Sequence, residues 1–441
     1  MGALAGCSFF PEKQQSTPTE TPTTAIGRTP ARGHNKRDVP SKLEDEYESA
    51  HNVVQLGVDH TGRHPVGDTL TSAVDDGTAL YFPRGEYKLT DPTSFDGFRN
   101  VAFVGNRALV RPPDGYADEL FQFGTDSGAT ELRFEGIDFD LTANHTGARP
   151  IHAEIRDGLN VSDVTVYGRQ DVNQDSMRFD VTSKSGTGRV EGLRLPDGGA
   201  TAFPNTGIYV GEQSVGRLTF TNCRIAGFPD NGLYASPARG PVIVDGGIYA
   251  NNGISSVRVS GPSRIDGVRV VCDTNRNGLQ NMRGIRLREG RNIRVRNADV
   301  AVRSVTSSDA AITMAEWLDG ATIENTTVRV DADDVTGILA KQPTRKRRGG
   351  DKQSRITLNG VTVVGRAANE AAITANGRNG CQFDGVCIQQ RGRNRDGIVL
   401  RDSTGAVLTD TTIDVTGKPL VLERSRTKRQ QIRVRQFGSN C

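Results

Sequence analysis

The sequence predicts an all-β protein: a right-handed parallel β-helix, or solenoid, of about ten or eleven coils with a cap at its N-terminal end. A short phrase recurs along the chain, in which a turn residue is followed by a buried aliphatic anchor. Self-similarity at a near-constant period is typical of stacked-repeat folds. The anchors are Ile208, Leu233, Ile254, Ile285, Ile312, Ile338, Ile373 and Ile398, at steps of 25, 21, 31, 27, 26, 35 and 25 residues.

Two further aliphatic runs follow each anchor, as Ile293–Val295 and Asp299–Val302 follow Ile285. The runs are short, alternate with period two and are rich in Val, Ile and Thr, while Gly, Asn and Asp separate them. This pattern indicates strands joined by turns, and the lack of a sustained 3.6-residue stripe excludes helical repeats. Gly is 51 of 441 residues, which fits three turns per coil, and aromatics are only 6%. We therefore expect stacked Val, Ile and Leu to fill a narrow core.

The start of the repeat region carries a recognisable opening. Leu56-Gly-Val-Asp59 leads to a predicted helix over Asp68–Asp76 and then to Phe82-Pro-Arg-Gly-Glu-Tyr87. This order resembles the opening of pectin-lyase-like β-helix proteins, which include polygalacturonases, pectate lyases and phage tailspikes. The resemblance covers nearly the whole chain after residue 50 and implies the fold. It does not imply an activity, because one fold hosts unrelated functions.

The N-terminal residues predict a surface location. Leu4-Ala-Gly-Cys7 matches a lipobox, in which Cys7 would carry the lipid, and a Ser/Thr/Pro-rich spacer follows over residues 16–24. We therefore predict a lipobox-like start and disordered tether over 1–47 and a single β-helix domain over 48–441. No other segment approaches the roughly 20 apolar residues of a transmembrane helix. The expected location is extracellular, with membrane contact through the lipid anchor only.

The charge balance limits the class of partner. The net charge of +3 gives no strong field for nucleic acid, so no nucleic-acid partner is predicted. Arg outnumbers Lys by 45 to 10, which suits acidic ligands because guanidinium groups bind carboxylates and sulfates bidentately, although codon composition is an alternative cause. The basic segment 341–355 is predicted to be an exposed loop, with a polyanion contact as the alternative. Nothing in the sequence fixes the oligomeric state.

The six cysteines do not follow a zinc-binding spacing. Cys223 and Cys272 sit within or beside predicted strands and are expected in the core. Cys381 and Cys387 lie six residues apart across one turn and could pair in an exported protein. Cys441 could be free or paired.

Alternation along the strand at each anchor predicts one row of outward side chains. Ile151, Ala153 and Ile155 point inward, so His152 and Glu154 point outward. The same reasoning applies to the following coils. The predicted row is His152 with Glu154, Arg178 with Asp180, Tyr209, Tyr234, Arg258, Arg286 with Arg288, and Thr313.

This row has the composition of a binding groove for uronic acids: aromatic rings for pyranose faces, guanidinium groups for carboxylates, and amides for hydroxyls. The predicted binding residues are Arg178, Tyr209, Asn231, Asn251, Asn252, Arg286 and Arg288. The alternative is an ordinary outward ladder of a β-helix, in which the arginines pair with acids such as Glu289 and Asp299.

Hydrolysis would need two carboxylates roughly 5–10 Å apart, one of them protonated. Glu154, Asp180 and Asp230 are the candidates. Asp333-Asp334 is similar to the paired aspartates of polygalacturonases, but the Gly-His-Gly and Arg-Ile-Lys phrases of those enzymes are missing. We therefore expect Asp333 and Asp334 to be turn residues.

β-Elimination would need a cation against a uronate carboxylate and a base near C5. Arg258, Tyr234 and Asp230 could supply these, and His152 with Glu154 is a second catalytic candidate. The run from Arg258 to Arg264 resembles the Arg-x-Pro-x-x-Arg phrase of pectate lyases, with the Pro two places late. No cofactor or metal is predicted; calcium stays open because no acidic cluster marks a site.

The leading functional hypothesis is a surface carbohydrate-active protein that binds an acidic polysaccharide and could cleave it, as a lyase or a glycosidase. The alternative is a non-enzymatic adhesin, envelope component or spike-like binding module that uses the same face. The sequence leaves open whether the protein is an enzyme.

Overall fold

The computed structural model describes residues 39–344 and 355–434, which fall in a compact unit that starts at residue 37. It contains two short helices, α1 (Ser41–Glu46) and α2 (Gly67–Ser72), and otherwise strands. Helix α1 lies before the predicted boundary at residue 48. Cys7, Cys441 and the basic cluster 345–348 lie outside the described residues. Within the described part of the chain, no helix is long and apolar enough to cross a membrane.

The strands form three sheets. The front sheet has 13 strands: β5 Thr93–Phe95, β7 Glu119–Phe123, β9 Arg149–Ile155, β12 Met177–Val181, β15 Ile208–Tyr209, β18 Asn231–Ala235, β21 Ser255–Val259, β24 Arg283–Gly290, β27 Ala310–Leu318, β30 Thr336–Ala340, β33 Ala371–Asn376, β36 Asp396–Arg401 and β39 Leu420–Glu423. The side sheet has 10 strands: β14 Arg194–Leu195, β17 Arg224–Ala226, β20 Ile248–Ala250, β23 Arg269–Cys272, β26 Asp299–Val302, β29 Thr327–Val330, β32 Thr362–Gly365, β35 Cys387–Gln390, β38 Thr412–Val415 and β41 Arg433–Val434.

The back sheet has 18 strands: β1 Ser49–Asn52, β2 Thr61–Pro65, β3 Thr78–Phe82, β4 Gly85–Lys88, β6 Arg99–Arg111, β8 Thr130–Asp140, β10 Leu159–Ser162, β11 Val166–Tyr167, β13 Thr187–Glu191, β16 Arg217–Thr221, β19 Val242–Asp245, β22 Arg264–Asp266, β25 Ile293–Arg296, β28 Ala321–Glu324, β31 Ile356–Asn359, β34 Gln382–Asp384, β37 Ala406–Thr409 and β40 Thr427–Gln430.

Each strand pairs in parallel with the equivalent strand of the next coil, for example β24 with β27, β25 with β28 and β26 with β29. The predicted right-handed parallel β-helix is therefore confirmed. The 13 strands of the front sheet give about 13 coils rather than ten or eleven. The difference comes from the N-terminal coils, where the anchoring phrase is not legible in the sequence.

The predicted anchors pair with each other along the front sheet, with one exception. Leu233 pairs with Val257, and Val257 pairs with Ile285, so Val257 is the anchor of that coil. The predicted anchor Ile254 is wrong: it lies in the preceding turn with φ of 43°. With Val257 in place the two steps become 24 and 28 residues, which makes the repeat more regular.

The small residue before an anchor is explained by the corner between the side and front sheets. A Cβ on Gly284 would lie 2.6 Å from Val300 Cγ1, and one on Gly397 would lie 2.7 Å from Ile413 Cγ2. Contacts this short cannot be accommodated in a packed core without movement. The recurring Gly-Ile phrase is thus a packing requirement where the chain passes from the side sheet to the front sheet.

The N-terminal end is capped by the predicted helix, which is shorter than expected and spans Gly67–Ser72. Its Leu70 is buried in the main core. Next to it the core is filled by phenylalanines rather than by the predicted aliphatics, with Phe103 stacked on Phe82 and Phe134 at centroid distances of 5.8 and 6.1 Å. Helix α1 lies on the outer face of the back sheet, where Leu43 packs in a second, smaller cluster.

The cysteines and the Asp333-Asp334 pair have structural roles. Cys223 and Cys272 are buried free thiols in the core, as predicted. The suggested Cys381–Cys387 pair is wrong, because Cys381 is a free buried thiol whereas Cys387 is disulfide-bonded. Asp334 has φ of 60° and the Asp333 carboxylate accepts the amide of Ala368, so both are turn residues as expected.

Three largely buried arginines hold backbone carbonyls from different coils. Arg276 donates to the carbonyls of Gly199, Gly227 and Asn251. Arg378 and Arg395 are fully buried and play the same role further along the solenoid. Arg378 donates to Ala315, Leu318 and Lys341, and Arg395 donates to Val335 and Asn369.

Candidate functional site

The front sheet brings the predicted outward residues into one continuous row. His152 pairs with Arg178, Arg178 with Tyr209, and Tyr209 with Tyr234. The register continues from Tyr234 to Arg258, then to Arg286 and Thr313. Successive members lie on adjacent coils, roughly 4.8 Å apart along the axis. The row divides into an acidic part, a tyrosine pair and an arginine cluster.

The acidic part is an ion-pair network around His152. His152 Nδ1 lies 2.8 Å from Glu119 Oε2, and Nε2 lies 3.1 Å from Glu154 Oε1. Burial acts to lower the pKa of His152, but hydrogen bonding to the two carboxylates raises it. Burial likewise opposes ionisation of Glu119, yet the contact with His152 brings its pKa down to about 2. The two carboxylates therefore favour the protonated form of the imidazole that lies between them.

Arg178 completes this network. Its Nη2 lies 2.7 Å from Glu154 Oε1 and its Nε donates to Asp180 Oδ2 at 2.9 Å. Asp180 is fully buried and accepts the Gly211 amide at 2.6 Å. Burial raises the pKa of Asp180 despite the charge of Arg178. Asp180 is thus a supporting group beneath Arg178, because no part of its side chain is exposed to a ligand.

Tyr209 and Tyr234 form a pair between two guanidinium groups. Their rings pack edge to face at a centroid distance of 5.5 Å. The guanidinium of Arg178 lies 5.8 Å from the Tyr209 centroid, and that of Arg258 lies 4.3 Å from the Tyr234 centroid. Each tyrosine therefore holds an arginine of a neighbouring coil. Both tyrosines are half-buried, and their predicted contact with pyranose faces stays a prediction.

Asp230 lies at the turn that leads into β18. Its carboxylate accepts the Asn231 amide at 2.7 Å and the Thr206 hydroxyl at 3.4 Å. Burial raises the pKa of Asp230 to about 6. The negative charge of Asp175 also raises it, whereas the positive charge of Arg258 lowers it. Asp175 accepts the Thr206 amide at 2.8 Å, and burial raises its pKa as well. Asp175 and Asp230 lie in equivalent turns two coils apart and both contact Thr206; sequence reasoning identified only Asp230.

The arginine cluster consists of Arg258, Arg286 and Arg288. None of the three has a carboxylate within ion-pair distance among the described residues. Arg258 Nε, Arg286 Nε and Arg288 Nη1 are buried without a hydrogen-bond partner there. Burial, with the charges of Arg283 and Arg258, lowers the pKa of Arg286 to about 10. Such a cluster is costly in the free protein and favours an added anion.

A neighbouring arginine shows the contrast. Arg283 donates to both carboxylate oxygens of Asp309, at 2.6 and 2.7 Å. Asp309 also receives Lys341 Nζ at 2.7 Å and the Thr313 hydroxyl at 2.8 Å. Asp309 is thus fully engaged and does not neutralise the arginine cluster. The predicted pairing of the outward arginines with Glu289 and Asp299 does not extend to Arg286 or Arg288.

The asparagines predicted to bind ligand are used within the turns. Asn252 is fully buried, accepts the Phe228 amide at 2.9 Å and donates to Ile225. Asn231 is also fully buried and bonds Asp230 and Ser255. Asn251 has φ of 52° and bonds Asp273 and Thr274. Their binding role is therefore wrong for Asn252 and Asn231, whose amides do not reach the surface.

The arginine cluster extends to a tryptophan that sequence reasoning did not select. The guanidinium of Arg288 lies 3.4 Å from the ring centroid of Trp317, and Trp317 is 39% exposed. It is the only tryptophan of the chain. Among the described residues, no group of three or more His, Cys, Asp or Glu side chains is placed to hold a metal ion.

No protein-family model and no curated protein matches the chain. Solved structures similar to it include the surface protein and adhesin PfbA of Streptococcus pneumoniae, at 10% identity and a TM-score of 0.40 over 88% of this chain and 99% of that one. The A-module of the mannuronan C-5 epimerase AlgE6 of Azotobacter vinelandii is similar at 13% identity and 0.42, over 80% and 98%. DFA-IIIase of Arthrobacter chlorophenolicus without its lid is similar at 11% identity and 0.40, over 89% and 99%. The parallel β-helix of this chain is shown by its own strand pairing from coil to coil.

Proposed function

We propose that this protein binds an acidic polysaccharide along the outward row of the front sheet and cleaves it there by β-elimination. The observation that carries the proposal is the arginine cluster of Arg258, Arg286 and Arg288, whose buried N–H groups lack partners among the described residues. A carboxylate or sulfate on a sugar would supply both the missing acceptors and the missing negative charge.

The order of groups along the row suits a chain that lies along the solenoid axis. Arg258 and Arg286 are on adjacent coils and project from paired positions. A polymer with an acidic group on successive sugars could therefore engage one guanidinium after another. The exposed face is built on paired strands rather than on loops, so the free protein already holds this geometry.

The surroundings of Arg258 supply what elimination requires. A guanidinium against the uronate carboxylate stabilises the negative charge that develops when the C5 proton is removed. Asp230, with its pKa near 6, would take that proton; the C5–H electron pair forms the C4–C5 double bond, and the glycosidic oxygen at C4 leaves and is protonated. The Tyr234 hydroxyl, whose ring packs against Arg258, would donate that last proton. The products are a new reducing end and an unsaturated end.

Hydrolysis is less well supported. Of the three carboxylates predicted for it, Glu154 is held by His152 and Arg178, and Asp180 is fully buried. Both are committed to ion pairs, which leaves Asp230 without an equally available carboxylate among the predicted set. The ion-pair network around His152 and Arg178 gives the acidic part of the row a structural role. This observation favours the second candidate function, a non-enzymatic binding module.

The test is a screen of the full chain against polygalacturonate, alginate and hyaluronan. Absorbance of unsaturated ends and the release of reducing ends would be followed in parallel. We expect both signals to grow together and to be lost in Arg258→Ala and Tyr234→Phe. Arg189→Ala is the matched control, since Arg189 pairs with Glu191 on the back sheet.

The alternatives give different results. Reducing ends without absorbance would replace elimination with hydrolysis. Binding measured by calorimetry without either product would establish the non-enzymatic module. No binding to any acidic polysaccharide would refute the proposal as a whole.

We also propose an extracellular location with a lipid on Cys7, on the strength of the lipobox-like start and the Ser/Thr/Pro-rich spacer. Labelling with a fatty-acid analogue in the producing cell, with loss of label in Cys7→Ser, is the expected result. Equal labelling of the two chains would contradict it.

A further inference from the structure

Strand β27 contains one residue more than its neighbour β24 over the same stretch. Leu287 pairs with Met314, but Glu289 pairs with Trp317, so three steps on β27 match two on β24. An extra residue of this kind is a β-bulge, which bends the strand and changes the direction of the side chains that follow. Here the bulge precedes Trp317, whose exposed side chain lies next to Arg288.

The bulge is held in place by a buried guanidinium and by a backbone amide. Arg378 Nη2 donates to the Ala315 carbonyl at 2.9 Å, and Nη1 donates to the Leu318 carbonyl at 2.6 Å, so a single guanidinium holds both ends of the irregular stretch. The Thr344 amide donates to the Glu316 carbonyl at 2.9 Å. Burial lowers the pKa of Arg378 to about 10. Burying a charge costs stability, so the fold maintains this bulge against an energetic penalty.

Trp317, the residue next to the bulge, is unusual for the exposed surface. The other large hydrophobic side chains that are exposed in the described part of the chain are Leu56, Ile248 and Val434, which lie away from the front sheet. Trp317 is on the front sheet and touches the arginine cluster. One side of its ring faces Arg288, and 39% of the residue remains open to solvent.

We propose that Trp317, together with Arg288, is a sugar-stacking subsite at the end of the arginine cluster. The apolar C–H face of a pyranose would cover the exposed indole, while its acidic group or that of the adjacent sugar reaches Arg288 and Arg286. Covering an aromatic ring removes apolar surface from water, and the adjacent guanidinium adds the charge that distinguishes an acidic sugar from a neutral one. This subsite rests on the proposed function and specifies where one ring of the polysaccharide lies.

The test uses the only tryptophan as its own reporter. The full chain would be titrated with oligogalacturonate and, as a neutral probe, with a cello-oligosaccharide of the same length, following tryptophan emission and heat of binding. We expect oligogalacturonate, but not the neutral oligomer, to change the emission. Trp317→Ala should weaken binding on the order of tenfold by calorimetry. Ile248→Ala, which removes an equally exposed side chain from the side sheet, should bind as the unaltered protein does.

The outcomes separate this inference from the proposed function. If the unaltered protein binds oligogalacturonate and Arg258→Ala abolishes binding, but Trp317→Ala binds with unchanged affinity, the subsite is refuted and the proposed function stands. If the unaltered protein binds no acidic saccharide, the proposed function fails first. If Trp317→Ala does not fold, Trp317→Phe, which keeps a smaller ring, takes its place. Unchanged affinity of Trp317→Phe, together with no change in tryptophan emission when the unaltered protein binds, would equally refute the subsite.

Discussion

Replacing Arg258 with methionine separates a ligand-binding role from a structural one. In the free protein the guanidinium contacts the Tyr234 ring at 4.3 Å, a contact worth roughly 0.5–2 kcal/mol. Its buried Nε has no partner among the described residues, which costs about 1–3 kcal/mol, and Arg288 and Arg283 repel it. Because these contributions nearly cancel, we expect Arg258→Met to change the free energy of unfolding by less than about 1 kcal/mol.

The same substitution should weaken ligand binding strongly. A charge-assisted hydrogen bond to a ligand carboxylate contributes about 1.5–3 kcal/mol, so its loss should lower the affinity for oligogalacturonate roughly ten- to one-hundred-fold. The assay combines thermal unfolding with calorimetric titration at low ionic strength. A large loss of affinity with a nearly unchanged unfolding temperature is the expected signature.

Arg283→Met is the matched control. Arg283 is 5% exposed and holds Asp309 with two hydrogen bonds, so its removal leaves a buried carboxylate with fewer partners and should cost about 3 kcal/mol or more. If Arg258→Met lowered the unfolding temperature as much as Arg283→Met and left affinity unchanged, Arg258 would be a structural residue. The arginine cluster would then be a structural feature rather than an anion-binding site.

Three further predictions concern buried charges. Burial raises the pKa of Asp230 to about 6, so the folded state holds this proton more tightly than the unfolded chain does. Relative to Asp230→Asn, the unaltered protein should therefore lose thermal stability as pH rises from about 4 through about 6. Parallel curves of unfolding temperature against pH for the two proteins would contradict this. Because the pKa of His152 is raised, its ion pairs stabilise the fold fully below about pH 6.5, and this stabilisation is lost as pH rises through the raised pKa. His152→Gln should therefore lower the unfolding temperature more at about pH 5 than at about pH 9. Arg378→Met removes the guanidinium that donates to three carbonyls and should lower the free energy of unfolding by about 3 kcal/mol or more. Arg401→Ala breaks an exposed ion pair with Glu423 and should lower it by less than about 1 kcal/mol. Equal unfolding temperatures of the two variants would contradict the first estimate.

The row of the front sheet could be predicted because period-two alternation carries over from coil to coil. Once Ile208 and Leu233 are taken as inward, Tyr209 and Tyr234 must face outward, and parallel pairing then aligns them. The anchor at Ile254 failed because a Gly-Ile phrase is ambiguous by itself. The same two residues can stand at the corner of a coil or in the turn before it, and only the pairing of Val257 shows which occurs.

The site was less predictable where partners come from other segments. Glu119 contacts His152 from the preceding coil, 33 residues away, and nothing in its own neighbourhood in the sequence marks it. Trp317 has the same alternation as Thr313, four residues before it, but it lies beyond the strand positions from which the row was predicted. Asn252 was misjudged because its amide bonds backbone groups of neighbouring coils, which uses the atoms that a ligand would need. Asn231 was misjudged because its buried amide bonds the side chains of Asp230 and Ser255.

The buried arginines change how the solenoid should come apart. In an ideal stacked repeat each unit contacts only its neighbours, so unravelling can proceed one unit at a time. Arg276 bonds carbonyls of Gly199, Gly227 and Asn251, which belong to successive coils, so releasing any one of these coils breaks a bond shared with the others. Under mechanical load from either end, the chain should therefore lengthen in steps of several coils rather than of one. A solenoid built in this way resists peeling from its ends.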